Sequence, residues 1–166
     1  MFENLLSLIQ QNAGDAIVNN PAIPNEHNNT AISMASGSII DGLKGVISNG
    51  NVSDIMQLFS QGSNAGNSAI TQNIQSGFIE NLVGNLGIDK SQAGNIAASL
   101  IPTVINQFVH KTNDPNDSSF NLQDILGNLT KGAGNLDVSN LLNQFSGNSN
   151  STQTGGLMDN IKGLFN

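Results

Sequence analysis

Apolar residues recur at helical spacing along almost the whole chain, and nowhere do they alternate as a sheet requires. Leu5, Leu6, Leu8, Ile9, Ala13, Ala16 and Ile17, with Phe2 ahead of them, draw one stripe that stops at Asn19-Asn20-Pro21. Ile32, Met34, Ala35, Ile39, Ile40, Leu43, Val46 and Ile47 draw a second, in a helix opening near Asn28 with Thr30 as a possible N-cap. Ser53 is placed to cap a short helix through Phe59, and Gln61-Gly62-Ser63-Asn64 reads as a loop. Ile70, Ile74, Phe78, Ile79, Leu82 and Val83 form the stripe of a fourth helix, from about Asn67 to Leu86, with Gly87 as its stop. The constraint is an all-α fold, a compact array of six to eight helices.

The fifth helix is the most apolar. Asp89 caps it, and Ala93, Ile96, Ala97, Leu100, Ile101, Val104, Ile105, Phe108 and Val109 make it the expected central buried element. Pro102 lies inside it, has no N–H to donate, and is expected to kink or divide it. Shorter helices are expected near Leu122–Leu129, Val138–Phe145 and Leu157–Phe165. The expected organisation is a helical domain over 1–146, a flexible Asn/Ser/Gly linker over 147–156, and a tethered amphipathic helix over 157–166.

Composition decides what such an array can do. Charged residues are 10% of the 166, far below the roughly 25% of ordinary domains, so Asn, Gln, Ser and Thr must cover much of the surface. There is no Cys, Trp, Tyr or Arg, and only two His and three Glu. Those are the side chains on which nucleophilic, acid–base and anion-gripping chemistry relies, so their scarcity argues against an enzyme. The net charge is −7 and no basic run exists, which removes the main source of nucleic-acid affinity and disfavours anionic lipid. No basic leader precedes an apolar core, and no stretch reaches the roughly 18 apolar residues of a membrane span. The expectation is a soluble cytoplasmic protein, with export by a route that reads other signals left open.

The run Gly87-Ile88-Asp89-Lys90-Ser91-Gln92-Ala93-Gly94-Asn95-Ile96, then Leu100-Ile101-Pro102-Thr103-Val104-Ile105, then Phe120-Asn121-Leu122-Gln123-Asp124-Ile125-Leu126, resembles the bacterial YidB-like proteins, a family catalogued as a domain of unknown function. The stretch Asn12 to Asn25 is similar to the variant of Bacteroidetes-type bacteria. The likeness spans about residues 5–130 and rests on packing motifs. It implies an all-helical array and carries over no catalytic residue. The Gly-rich tail of that family is here rich in Asn and Ser.

One segment offers ligating chemistry. Between Asn113 and Asp124, the residues Asp114, Asn116, Asp117, Ser118, Asn121 and Asp124 all carry the hard oxygen donors calcium prefers. The alternate spacing fits a calcium loop, but Ser119 stands where its Gly belongs and Ile125 where its closing Glu belongs. The competing reading is a turn with Asx caps opening the Leu122 helix. Asp114, Asn116, Asp117 and Asp124 are therefore weak metal candidates. No cofactor is expected and no small-molecule substrate is identified. His27 and His110 have no partner ligands in the sequence pattern. Gly62–Ser68 is one residue short of a phosphate loop and lacks its Lys.

The last helix carries Leu157, Met158, Ile161, Leu164 and Phe165 on one face, positions that can dock on the same domain, a neighbouring subunit or a membrane. A single Lys162 is little of the basic face that interfacial helices show. Val52–Ser60 and Val138–Ser146 also match in residue type at nearly every position, though no regular period makes them a solenoid. The functional expectation is a non-catalytic structural or interaction protein, a homo-oligomer or assembly held through apolar helix faces. The alternative is a small-ligand or calcium-binding module using the 113–124 loop.

Overall fold

A computed structural model describes residues 2–117 and 119–130. Its regular structure, among those residues, is wholly helical: α1 (Phe2–Asn12), α2 (Asn28–Ser48), α3 (Val52–Ser60), α4 (Ala69–Leu86), α5 (Lys90–Asn113) and α6 (Leu122–Thr130), with three short turns of helix between them. α1 and α4 each pack against both α2 and α5, so these four helices enclose one core. α3 closes it against α2 and α5, and α6 lies on α2. The expected helix at Val138–Phe145, the linker at 147–156 and the helix at Leu157–Phe165 fall outside the described residues.

α5 buries all nine of the apolar positions its periodicity singles out. Each side chain of that size contributes roughly 1.5–3 kcal/mol on full burial, Ala less, which makes this helix the axis of the fold. Its N-terminus is capped by Asp89, whose Oδ1 accepts the Ser91 N–H at 2.9 Å. Before it, Gly87 ends α4 in the left-handed region at φ 65°. The Gly87 N–H reaches Val83 O, as in an αL stop, the Ile88 N–H reaches Leu82 O, and the Ile88 side chain is buried.

Pro102 does not divide α5, which runs unbroken from Lys90 to Asn113. The proline deprives the Ala98 carbonyl of its partner four residues on. Ala98 and Ser99 are both exposed, so water reaches that turn, and the Thr103 hydroxyl donates to Ser99 O at 2.9 Å. The lost bond falls on the wet face of the helix, where its cost is least.

Other expectations need correcting. The first stripe is not one helix: after α1 the chain tightens into a π turn over Gly14–Val18, in which the Val18 N–H reaches back five residues to Ala13 O at 3.0 Å. Thr30 is not a cap but lies inside α2 and is exposed. Ser53 likewise sits inside α3, which starts at Val52 without a side-chain cap. Gln61–Asn64 is not simply a loop, because Gly62–Asn67 forms a 3-10 turn packed on α5. In α2, Met34, Ile40 and Val46 are only half-buried, as is Ile79 in α4, and Val83 is exposed. Both stripes are drawn wider in the sequence than the neighbouring helices cover.

The neutral amides, expected to clothe the surface, also stitch the elements together. Asn12 and Gln107 exchange hydrogen bonds of 3.0 and 2.8 Å, joining α1 to α5. Asn106 Oδ1 accepts the Gly66 N–H, Asn113 Nδ2 donates to Phe59 O, and Asn81 Nδ2 donates to Ser38 Oγ. Asn4 Nδ2 donates to Ser119 O at 2.8 Å. In a chain this poor in charge, amides perform the bridging that ion pairs perform elsewhere, without the desolvation cost of a buried ion.

Candidate functional site

The 113–124 segment, built from its backbone upward, is a series of capped turns. Asp114 Oδ1 accepts the Asn116 N–H at 2.9 Å and Asp117 Oδ1 accepts the Ser119 N–H at 2.9 Å. Asn121 Oδ1 accepts the Gln123 N–H at 2.8 Å at the start of α6. The second carboxylate oxygen of Asp117 receives Lys111 Nζ at 3.0 Å. That ammonium, with the N–H of Ser119, holds the Asp117 carboxyl below its ordinary value of 3.8. Lys111 itself stands in the last turn of α5, where the helix dipole favours a cation. Phe120 then anchors the connection, its ring edge-on to Phe108 at 5.4 Å, and Phe108 packs on Phe59 at 5.7 Å.

These contacts engage Asp114 Oδ1, both carboxylate oxygens of Asp117 and Asn121 Oδ1 locally, as Asx turns do. Asp114, Asp117 and Asp124 do not converge with one another: among the described residues no group of three or more His, Cys, Asp or Glu could hold a metal. Asn116 and Asp124 are exposed. His110 is exposed at the end of α5, and His27 Nε2 lies 3.7 Å from Glu26 Oε1 on the surface.

Beside this segment lies a groove that the sequence did not reveal. It has a volume of about 140 Å³ and is lined by Asn4, Ser7, Leu8 and Gln11 of α1, Lys111 of α5, and Ser119 and Phe120 of the connection. Leu8 and Phe120 are buried beneath it. Its walls are tied by the Asn4–Ser119 bond, and the Asn12–Gln107 pair joins α1 to α5 one turn of α5 before Lys111. No local signal marks it, because its α1 residues lie 100 or more positions before the others and meet them only when α1 docks on α5.

The apolar faces expected to mediate association are, in the described helices, turned inward. Among the described residues only Val18, 44% exposed, and Val83, 38% exposed, stand out as exposed large hydrophobics. No described helix is long and apolar enough to cross a membrane. The interaction positions Leu157, Met158, Ile161, Leu164 and Phe165 lie outside the described residues.

No protein-family model, curated protein or solved structure matches this chain.

Proposed function

We propose that this is a non-catalytic structural or interaction protein that associates with copies of itself, and that Leu157, Met158, Ile161, Leu164 and Phe165 carry the contact. The observation behind this reading is the economy of the described helices, most of whose apolar positions are buried in their own core. Among the described residues only Val18 and Val83 are exposed large hydrophobics, little to drive association. The sequence supplies a further stripe in residues 157–165.

Charge supports the same assignment. Within residues 131–166, Lys131 and Lys162 balance Asp137 and Asp159, so the net charge of −7 falls entirely on residues 1–130. Two helical domains approaching one another meet like-charge repulsion, whereas two C-terminal segments meet none. The resemblance to the YidB-like family over about residues 5–130, which rests on packing motifs, accords with a packing role and adds no activity.

The test is light scattering of the full chain against concentration, beside a Leu157→Asn, Ile161→Asn, Leu164→Asn triple variant. A mass above the monomer that falls to the monomer in the variant is the expected result. A wild-type chain that stays monomeric at high concentration defeats the reading, as does an oligomer that the three substitutions leave intact.

A further inference from the structure

An asparagine or aspartate followed by glycine is a reactive pair, because no side chain shields the glycine nitrogen from the neighbouring side-chain carbonyl. The chain holds two such pairs, Asp41-Gly42 and Asn49-Gly50, and the fold treats them differently. Asp41-Gly42 lies in the middle of α2, its backbone inside the helix and Gly42 against the Ile74 side chain. Asn49-Gly50 stands just beyond the end of α2. We infer that Asn49 is a site of spontaneous covalent modification, converting to aspartate and isoaspartate through a cyclic imide.

The surroundings of the pair are open. Ser48, Asn49, Gly50 and Asn51 are four successive exposed residues. A Cβ built on Gly50 would meet nothing within 4 Å, so the space beside its nitrogen is free. Asn12, Asn106 and Asn113, by contrast, are tied by their side chains to other elements of the fold.

The step needs no oxidant or reductant. The Gly50 nitrogen attacks Cγ of Asn49, the Gly50 proton passes through water to Nδ2, and Nδ2 departs as ammonia. Water then opens the five-membered imide at either carbonyl, which yields both aspartate and isoaspartate. Each product places a new negative charge at the C-terminal end of α2, where the helix dipole disfavours it.

The geometry also bounds the rate. Asn49 has ψ 4°, and rotation about that bond is needed to bring Cγ onto the Gly50 nitrogen. Rotation breaks the bonds from the Gly50 N–H to Ile47 O at 2.9 Å and from the Asn51 N–H to Val46 O at 3.1 Å. Each such bond holds the end closed by a factor of roughly 2–13, about 5–160 for the pair. Local opening of this kind leaves the core intact.

The experiment ages the full chain in mildly alkaline buffer, with and without denaturing urea. Peptide mass spectrometry follows each asparagine, with aspartate and isoaspartate products separated. Among residues 2–130, Asn49 is expected to react first in the folded protein and to give both products. Its folded rate is expected to lag its rate in urea by no more than about 160-fold. A longer lag overturns the inference, because the site then opens only with the rest of the fold, at a cost of about 10³ or more. Earlier reaction at another asparagine of residues 2–130 overturns the site, and aspartate without isoaspartate overturns the imide.

Discussion

Replacing Gly66 by Ala tests the central contact of the fold, the seat of the Gly62–Asn67 turn on α5. The Gly66 N–H donates to Asn106 Oδ1 at 2.6 Å, so the two backbones lie close. A Cβ added there would stand 2.8 Å from Pro102 O and 2.8 Å from Asn106 Nδ2. The Asn106 amide can swing aside, at the loss of its bond to Gly66, worth about 0.5–1.5 kcal/mol. Pro102 O cannot, because it belongs to the backbone of the central helix. Gly66 does not occupy a positive φ, so the penalty is steric and not conformational. Overpacking of this kind costs about 1–3 kcal/mol, against a gain of about 0.4–1 from the stiffer unfolded chain. A net loss of roughly 0.5–4 kcal/mol follows, which for a chain of this length lowers Tm by about 2–4 °C per kcal/mol. Gly45→Ala is the control: Gly45 is exposed in α2, its Cβ would meet nothing within 4 Å, and the change gains about 0.5–1 kcal/mol. Urea melts followed by circular dichroism compare the three proteins. If Gly66→Ala proves as stable as the wild type, the turn does not sit on α5 as described.

Phe108→Ala removes the ring shared by Phe59 and Phe120 and costs about 3–5 kcal/mol in the same melts, with the 114–121 connection exchanging its amide protons faster. Asp117→Asn probes pH: because the folded carboxyl is held below its ordinary 3.8, the ionised form stabilises the fold above that value, and this contribution fades as pH falls through the depressed folded value. The wild type is therefore the more stable protein near neutrality, and its lead over Asp117→Asn narrows in acid below 3.8; a lead that grows in acid contradicts the Lys111–Asp117 pairing. Calcium followed by chelator is expected to leave Tm unmoved, since oxygens of Asp114 and Asp117 cap local N–H groups; a midpoint that rises with calcium favours the ligating reading of that loop.

The periodicity of the chain was enough to specify an all-α fold, its most buried helix and that helix's cap and preceding stop. Each is a local property: nine apolar side chains at i, i+3 and i+4 spacings in α5, a carboxylate at Asp89, a glycine at Gly87. A stripe says which side of a helix is apolar but not how much of that side a neighbour covers. Hence Ile79 and Val83 read like Leu82, and only the placement of α2 and α5 around α4 buries Leu82 while leaving Val83 in water. The tertiary structure alone also decided what the asparagines do. An Asn facing solvent and an Asn bridging two helices are identical in the sequence. The Asn12–Gln107 pair joins residues 95 positions apart, and the groove walls at Asn4 and Ser119 are 115 apart. Such separations are closed by helix packing, driven by the non-directional burial of apolar surface, and the short-range, directional hydrogen bonds form only between groups which that packing has already brought together.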